Sequence, residues 1–253
     1  MRLSGVGKRF DNGLDAVHDL SLTVAADEFV AIVGASGCGK STLLRIIAGL
    51  VPGTSGSVEV HGEKVTAPRA DVGMMFQRPA LLEWRTALEN VLLPVRMHRG
   101  IGGDDVAEAA RLLRLFHLSG FEHHFPRQLS GGMQQRVALA RLLMSGAKVR
   151  LLDEPFGALD ELTRELLNTQ LAEIHGRAAS ATILVTHSVS EAVLLADRVV
   201  VMTARPGTIA ADVAIPLPRP RPISVVHTPE FQELALTVRD GLGRVRAEGG
   251  CPE

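Results

Sequence analysis

The sequence predicts an α/β fold: a mostly parallel sheet flanked by helices, with an antiparallel β part near the N-terminus and an inserted helical subdomain. Three observations predict it. Short apolar, β-branched runs recur in the first third of the chain and again in its second half. The later runs are continuously hydrophobic rather than alternating, as expected of parallel strands buried on both faces. Between the two sets, from Leu82 to Gln128, the apolar residues shift to helical spacing.

Taken in order, "LSLTV", "EFVAIVG", "GSVEVHG" and "DVGMMFQ" read as strands separated by glycine, asparagine or aspartate. Between the second and third lies a helix, "KSTLLRIIAGL", ended by Gly49 and Pro52. In "DDVAEAARLLRLFHLSG", Val106, Ala109, Ala110, Leu113 and Phe116 fall on one helical face, and Asp104 is expected to cap the start. "LSGGMQQRVALARLL", from Leu129, reads as a helix entered through a serine and two glycines. The strands then return as "VRLLDEP", "ATILVTH" and "RVVVMTA". Arg150 is awkward in a buried strand and is expected where that strand enters the sheet, with its charged head in water. The tail opens with "PLPRPRP", read as a connector whose Arg219 and Arg221 keep it soluble. A final helix follows, with Thr228 as cap, Pro229 at the first position, and Phe231, Leu234, Val238, Leu242 and Val245 as a stripe facing the chain's own core.

A chain of 253 residues can bury a large core and fits one sizeable domain or a domain with an inserted lobe. Its 27 basic and 28 acidic residues argue against a protein held on nucleic acid by bulk charge. The two cysteines, Cys38 and Cys251, imply no disulfide framework and a reducing compartment. The start has no apolar core of the secretory kind, so no signal peptide is expected. No apolar run approaches the roughly 18 residues a membrane span needs. If the protein works at a membrane, another chain crosses it.

"GASGCGKS" matches G-x-x-x-x-G-K-[ST] and sits between a strand and a helix, where phosphate binding requires it. The loop and its flank supply Gly34, Ser36, Gly37, Cys38, Gly39, Lys40, Ser41 and Thr42. Backbone amides from Ser36 to Lys40 are expected to surround phosphates, Lys40 to reach the β and γ groups, and Ser41 to hold Mg²⁺. The plain alternative is a tight strand-to-helix turn. "VRLLDEP" adds an aspartate at the end of a buried strand, so Asp153 is expected to hold the metal through water and Glu154 to polarise the attacking water. Acidic pairs at strand ends are common, and this one carries weight only beside the phosphate loop.

The set "GASGCGKST", "MFQ", "LSGGMQQR", "LLDEPFGALD" and "LVTH", in that order, resembles the ATPase subunit of an ABC transporter. It is most similar to the nitrate, sulfonate and taurine importer group, which also shows "FQ-PALL-W", "ENVLLP" and a "PRPR" tail; the resemblance extends to about Pro222. It implies an ATPase domain over 1–222 containing a helical subdomain at 83–128, and a helical tail at 223–253. ATP and Mg²⁺ are the implied cofactors. The implied assembly is a head-to-tail dimer in which each ATP lies between the phosphate loop of one copy and the Leu129 motif of the other. Ser130, Gly131 and Gly132 then form a second anion-binding helix start aimed at the partner's γ-phosphate, with glycine allowing close backbone approach. By the same resemblance, Gln77 contacts magnesium and water, joining Ser41 and Asp153 in the metal set. His187 bonds the γ-phosphate, Asp160 crosses to the partner's phosphate loop, and Phe10 stacks on adenine in a chain that has no tyrosine.

The further implied partners are transmembrane permease subunits and, indirectly, an external solute-binding protein, with no nucleic acid. The implied location is the cytoplasmic face of a membrane. Four positions depart from the family pattern: Met133, Glu83 and Arg85 on either side of Trp84, and Asp27. An ABC-type ATPase acting on DNA or ribosomes fits less well, because the interval between Gln77 and Ser130 is compact and the chain carries one cassette. A small-molecule kinase gives no role to Gly131 and Gly132. Alkylation of Cys38 is expected to obstruct the phosphates unless bound ATP shields the thiol.

Overall fold

Two sheets stand back to back over the helix that follows the phosphate loop. In the computed structural model, residues 1–157, 159–177 and 180–248 are described; Cys251, the end of the 223–253 tail and Ala158 of "GALD" lie outside them. Strands β1 (Arg2–Arg9), β2 (Asp15–Thr23), β4 (Ser55–Val60) and β5 (Glu63–Lys64) form an antiparallel sheet in the order β2-β1-β4-β5. The second sheet contains β3 (Phe29–Gly34), β6 (Val72–Met75), β7 (Val149–Asp153), β8 (Ala181–Val185), β9 (Arg198–Met202) and β10 (Ile209–Ala214). Its order is β10-β9-β3-β8-β7-β6, parallel throughout except for β10, which closes one edge antiparallel.

β7 and β8 are buried at every position, which is why they read as unbroken apolar runs. β1 and β10 escaped that reading. β1 carries Gly5 and Gly7 and pairs with β2 through several register shifts, while β10 alternates with solvent as an edge strand does.

Helix α1 (Lys40–Ile47) starts at Gly39, whose φ of 97° and lack of space against the Ala16 carbonyl exclude a side chain. The inserted lobe holds α2 (Ala87–Val91), α3 (Leu93–His98) and α4 (Gly103–Leu115), followed by α5 (Gly131–Met144). α6 (Glu161–Arg177), α7 (Val189–Leu195) and α8 (Pro229–Glu248) complete the order. One apolar cluster runs from Leu113 and Phe116 of the lobe through Val137 and Leu139 of α5 to Leu152 and Leu184 of the sheet. A second fills the space between the sheets, around Leu3, Val6, Leu43, Ile47 and Ile183.

Several expectations are corrected by the packing. In α4 the N-cap is Gly102, not Asp104; Asp105 accepts the Gly102 N–H at 2.9 Å and pairs with Arg99 at 2.7 Å. Val106 is exposed; Ala109, Leu112, Leu113 and Phe116 carry the buried face. Arg150 is buried, not wet. β7 lies between β6 and β8, so the guanidinium is trapped with Nε and Nη1 unbonded, and desolvation lowers its pKa.

Of the arginines of "PLPRPRP", Arg221 is buried rather than solvated, and Arg219 is exposed but bonded. Arg221 donates to the carbonyls of Val193, Leu194 and Ala196 at 2.9, 3.1 and 2.7 Å, and to those of Ile215 and Leu217. It thereby satisfies the orphan carbonyls at the end of α7, where the helix dipole favours a cation. Burial pushes its pKa down to about 10. Arg219 pairs with Asp197 at 2.9 Å and donates to the Leu195 carbonyl at 2.7 Å. The connector is a strap that fastens α7 to the tail. Replacing Arg221 by methionine leaves those buried carbonyls unpaired, at an expected cost of about 2–4 kcal/mol. At this chain length that lowers Tm by roughly 5–15 °C, measurable by circular dichroism; an unchanged Tm would show that the strap does not hold α7. Beyond the strap, Thr228 Oγ1 accepts the Phe231 N–H at 3.3 Å. Phe231, Ala235, Val238 and Val245 are buried as α8 packs on α7, β9 and β10.

Candidate active site

The parallel strands end together, and their carboxyl-terminal edge is where the sequence concentrates its chemistry. At the end of β3 the chain turns so tightly that a Cβ on Gly34 would stand 2.8 Å from Cys38 Sγ and 2.9 Å from the Met202 carbonyl oxygen. Lys40 arches over this loop and donates to the carbonyls of Gly34 and Ala35 at 2.9 and 2.8 Å. The Cys38 side chain turns inward and is 1 % exposed, so alkylation is not expected: the thiol belongs to the core beneath the loop, and Cys38 is not among the residues that line the cleft.

Beside the loop, Ser41 Oγ donates to Asp153 Oδ1 at 2.9 Å. Asp153 is 2 % exposed, and desolvation raises its pKa against the opposing Ser41 hydrogen bond. A buried carboxylate next to a hydroxyl is a hard-oxygen donor set that suits Mg²⁺. Among the described residues no cluster of three or more His, Cys, Asp or Glu could hold a metal alone. Such a site leaves most of the ion's shell to water and phosphate oxygens, as Mg²⁺ prefers.

Glu154 follows with a φ of 46°, a left-handed conformation costly for a residue with a side chain. It is held there by its N–H, which donates to the Val185 carbonyl at 2.9 Å. Gln77 Nε2 donates to Glu154 Oε2 at 2.9 Å, and His187 Nδ1 lies 3.8 Å from the same oxygen. The carboxylate is thus aimed between two polar groups, at a point where a water could be held and deprotonated.

A cleft of about 300 Å³ gathers part of this set, without Gly34, Asp153 and His187 among its lining residues. Ser36, Gly37, Gly39, Lys40, Ser41 and Thr42 form one wall, with Gln77 and Glu154 at one side and Phe10 at its rim. Phe10 is 37 % exposed, and the Lys8 ammonium lies over its ring, 5.2 Å from the centre.

Other expected residues do not line this cleft. Ser130 caps α5, its Oγ accepting the Met133 N–H at 3.3 Å. Asp160 caps α6 by accepting the Thr163 N–H at 3.0 Å, and that bond first among its causes lowers its pKa. Gly131 has open space where a Cβ would go, whereas a Cβ on Gly132 would stand 2.8 Å from Leu159 Cδ2. That one contact is with the tip of a flexible side chain, which can shift, so the chain's own packing does not by itself call for glycine at either position. The departures are accommodated: Met133 packs partly buried on the core, and Arg85 pairs with Glu89 at 2.8 Å beside the Thr86 capping box.

Sequence reasoning missed three supports. Gln135, 3 % exposed on α5, donates to the Gln77 carbonyl at 2.7 Å and ties the cleft to the helix that Ser130 begins. Thr186 donates to the buried Glu191 at 2.6 Å and accepts the Ser188 N–H, bracing the His187 loop; burial raises the Glu191 pKa. Asn90, fully buried, bonds the backbone of Leu82, Arg85 and Thr86 and fixes the entry to the lobe. The available signal was a polar residue on an otherwise apolar helix face.

Comparison with known proteins agrees with this geometry. Residues 17–157 match the family model described as ABC transporter. An uncharacterized ABC transporter ATP-binding protein of Methanocaldococcus jannaschii, MJ0412, is 45% identical over 228 residues, covering 90% of this chain and 85% of the relative. The taurine import ATP-binding protein TauB of Burkholderia pseudomallei is 44% identical over 241 residues, covering 93% and 92%. The nitrate import ATP-binding protein NrtD of Synechocystis sp. is 43% identical over 232 residues, covering 89% and 86%. Among solved structures, the dimeric post-hydrolysis state of the ATP-binding cassette MJ0796 bound to ADP and Pi superposes with a TM-score of 0.77 at 32% identity, covering 85% of this chain and 98% of that one. A phosphate loop, a hard-oxygen metal site and a strained, positioned carboxylate are what such a protein needs, and this chain belongs to the ABC transporter family as an ATP-binding cassette that uses ATP and Mg²⁺ and hydrolyses ATP.

Proposed function

We propose that this chain powers import of a small anionic solute, such as nitrate, a sulfonate or taurine, through separate transmembrane permease subunits. The observation that carries the reading is the likeness over about nine-tenths of the chain to import ATP-binding proteins named for taurine and nitrate. Two copies close head to tail on two ATP molecules. In each pocket Phe10 stacks on adenine, the amides of Ser36 to Lys40 surround the phosphates, and Lys40 leaves its own loop carbonyls for the β and γ groups. When bound, Mg²⁺ supplies charge neutralisation to the β and γ oxygens, with Ser41, Gln77 and Asp153 as its protein shell. Glu154 accepts the proton of the attacking water, and His187 orients it and bonds the γ-phosphate. Ser130 and the amides of Gly131 and Gly132 complete the pocket from the other copy, and Asp160 crosses the same interface. Closure is favoured because ATP binds the closed pair better than the open one, and loss of the γ-phosphate removes the bridge.

No helix among the described residues is long and apolar enough to cross a membrane, so the translocation path is assigned to the permease and this chain to its cytoplasmic face. An external solute-binding protein is reached only through that permease. The permease is proposed to dock in the groove of about 330 Å³ between the sheet edge and the lobe, where Met74, Phe76, Leu93, Pro94 and Met97 line an apolar surface. Met97, which lines this groove, is 74% exposed.

The test is uptake in the native host. Cells carrying Glu154→Gln are expected to lose transport of one small anion among nitrate, taurine and alkanesulfonates, and a tagged chain is expected to co-purify an integral membrane protein. Unchanged uptake of all three would overturn the substrate class. Met97→Asp is expected to reduce the co-purified permease about tenfold by placing a charge in an apolar contact, with Tm within about 1 °C of the parent.

A further inference from the structure

One charged group at the nucleotide cleft has no place in the account above. The loop between β9 and β10 is closed on itself: Thr203 N–H donates to the Thr208 carbonyl at 2.9 Å, and Thr203 Oγ1 donates to the Pro206 carbonyl at 2.7 Å. It is also fastened to the cleft. Gly207 N–H donates to the Ala16 carbonyl at 3.1 Å, its own carbonyl accepts the His18 N–H at 3.0 Å, and a side chain there would strike the Cys38 carbonyl. Held this way, Arg205 lines the same cleft as Phe10, Ser36 and Lys40. Its Nη2 lies 3.4 Å from where a Cβ of Gly37 would stand.

Among the described residues the exposed Arg205 makes no ion pair and no hydrogen bond. The acids that share the cleft are engaged elsewhere: Asp15 with Arg9 at 3.5 Å and Glu154 with Gln77 at 2.9 Å. A guanidinium on a fixed loop, facing phosphate-binding amides and lacking a counterion, is arranged for an anion. In a loop of this type the central amides serve the α- and β-phosphates and the lysine the β and γ groups. We propose that Arg205 is a further nucleotide-binding residue that reaches the α- and β-phosphates of ATP and ADP from the β9–β10 loop. The assignment rests on the reading of this cleft as the ATP site.

The experiment is isothermal titration of the full chain with Mg–ATP and Mg–ADP, for the parent and for Arg205→Ala, Arg205→Lys and Lys40→Ala. Arg205→Ala is expected to weaken both nucleotides alike, by about tenfold, as loss of a charge-assisted hydrogen bond predicts. Arg205→Lys restores part of the loss, the KM for ATP rises more than kcat falls, and Tm stays within about 1 °C because the residue is exposed and unbonded. Parental affinity in Arg205→Ala, with binding lost in Lys40→Ala, overturns the proposal and leaves the cleft standing. Parental affinity in both variants overturns the cleft reading itself. Weakened binding that lysine does not restore and that comes with a large fall in Tm also overturns the proposal, because Arg205 then acts only through the shape of its loop.

Discussion

Glu154→Gln is expected to lower ATP turnover by roughly 10²–10⁴-fold, the usual contribution of a positioned general base, while ATP remains bound. The substitution is informative because it preserves shape. The side-chain oxygen of glutamine can still accept from Gln77 Nε2, now at 2.9 Å from Glu154 Oε2, so the side chain keeps its position. What is lost is the capacity to take a proton. An alanine would remove the contact with Gln77 as well and confuse lost chemistry with lost geometry. If closure depends on the γ-phosphate, the glutamine variant in Mg–ATP accumulates as a dimer, whereas Mg–ADP leaves it monomeric. Phosphate release and size-exclusion chromatography with light scattering measure the two effects. A variant that turns over ATP at the parental rate, or stays monomeric in saturating ATP, contradicts the role given to Glu154.

What the sequence made legible was local or periodic. β3, β7 and β8 announce themselves because burial on both faces demands an unbroken apolar run. The phosphate loop is equally plain, since one short stretch supplies its turn, its amides and its lysine. The remainder depends on spatial neighbours that the linear order does not give. Arg221 looks like a linker residue until α7 is seen to end at its guanidinium. Arg205 reaches the cleft only because β9 lies beside β3, an adjacency created by strand order. Gln135 faces Gln77 only after α5 has packed beneath the sheet edge. Arg150 misled because a charged residue was presumed to seek water, yet in an inner strand of the sheet it is buried.

Ser130→Arg and Lys40→Ala are each expected to lower ATPase activity at least about 100-fold, yet by damaging different halves of one pocket. Ser130 stands at an exposed helix start and is not among the residues that line the cleft with Lys40. In the head-to-tail pair proposed above, each pocket would take its lysine from one copy and its serine from the other. A mixed dimer of the two variants then contains one pocket with both defects and one with neither. Equal mixing with random exchange makes half the dimers mixed, so about one quarter of parental activity should return. Pockets built within single chains predict none at any ratio. The arginine substitution also removes a cap worth about 1 kcal/mol to α5, a loss the fold tolerates and circular dichroism can confirm. Recovery that follows the mixing ratio and peaks at equality identifies the shared pocket, and a flat baseline across all ratios excludes it.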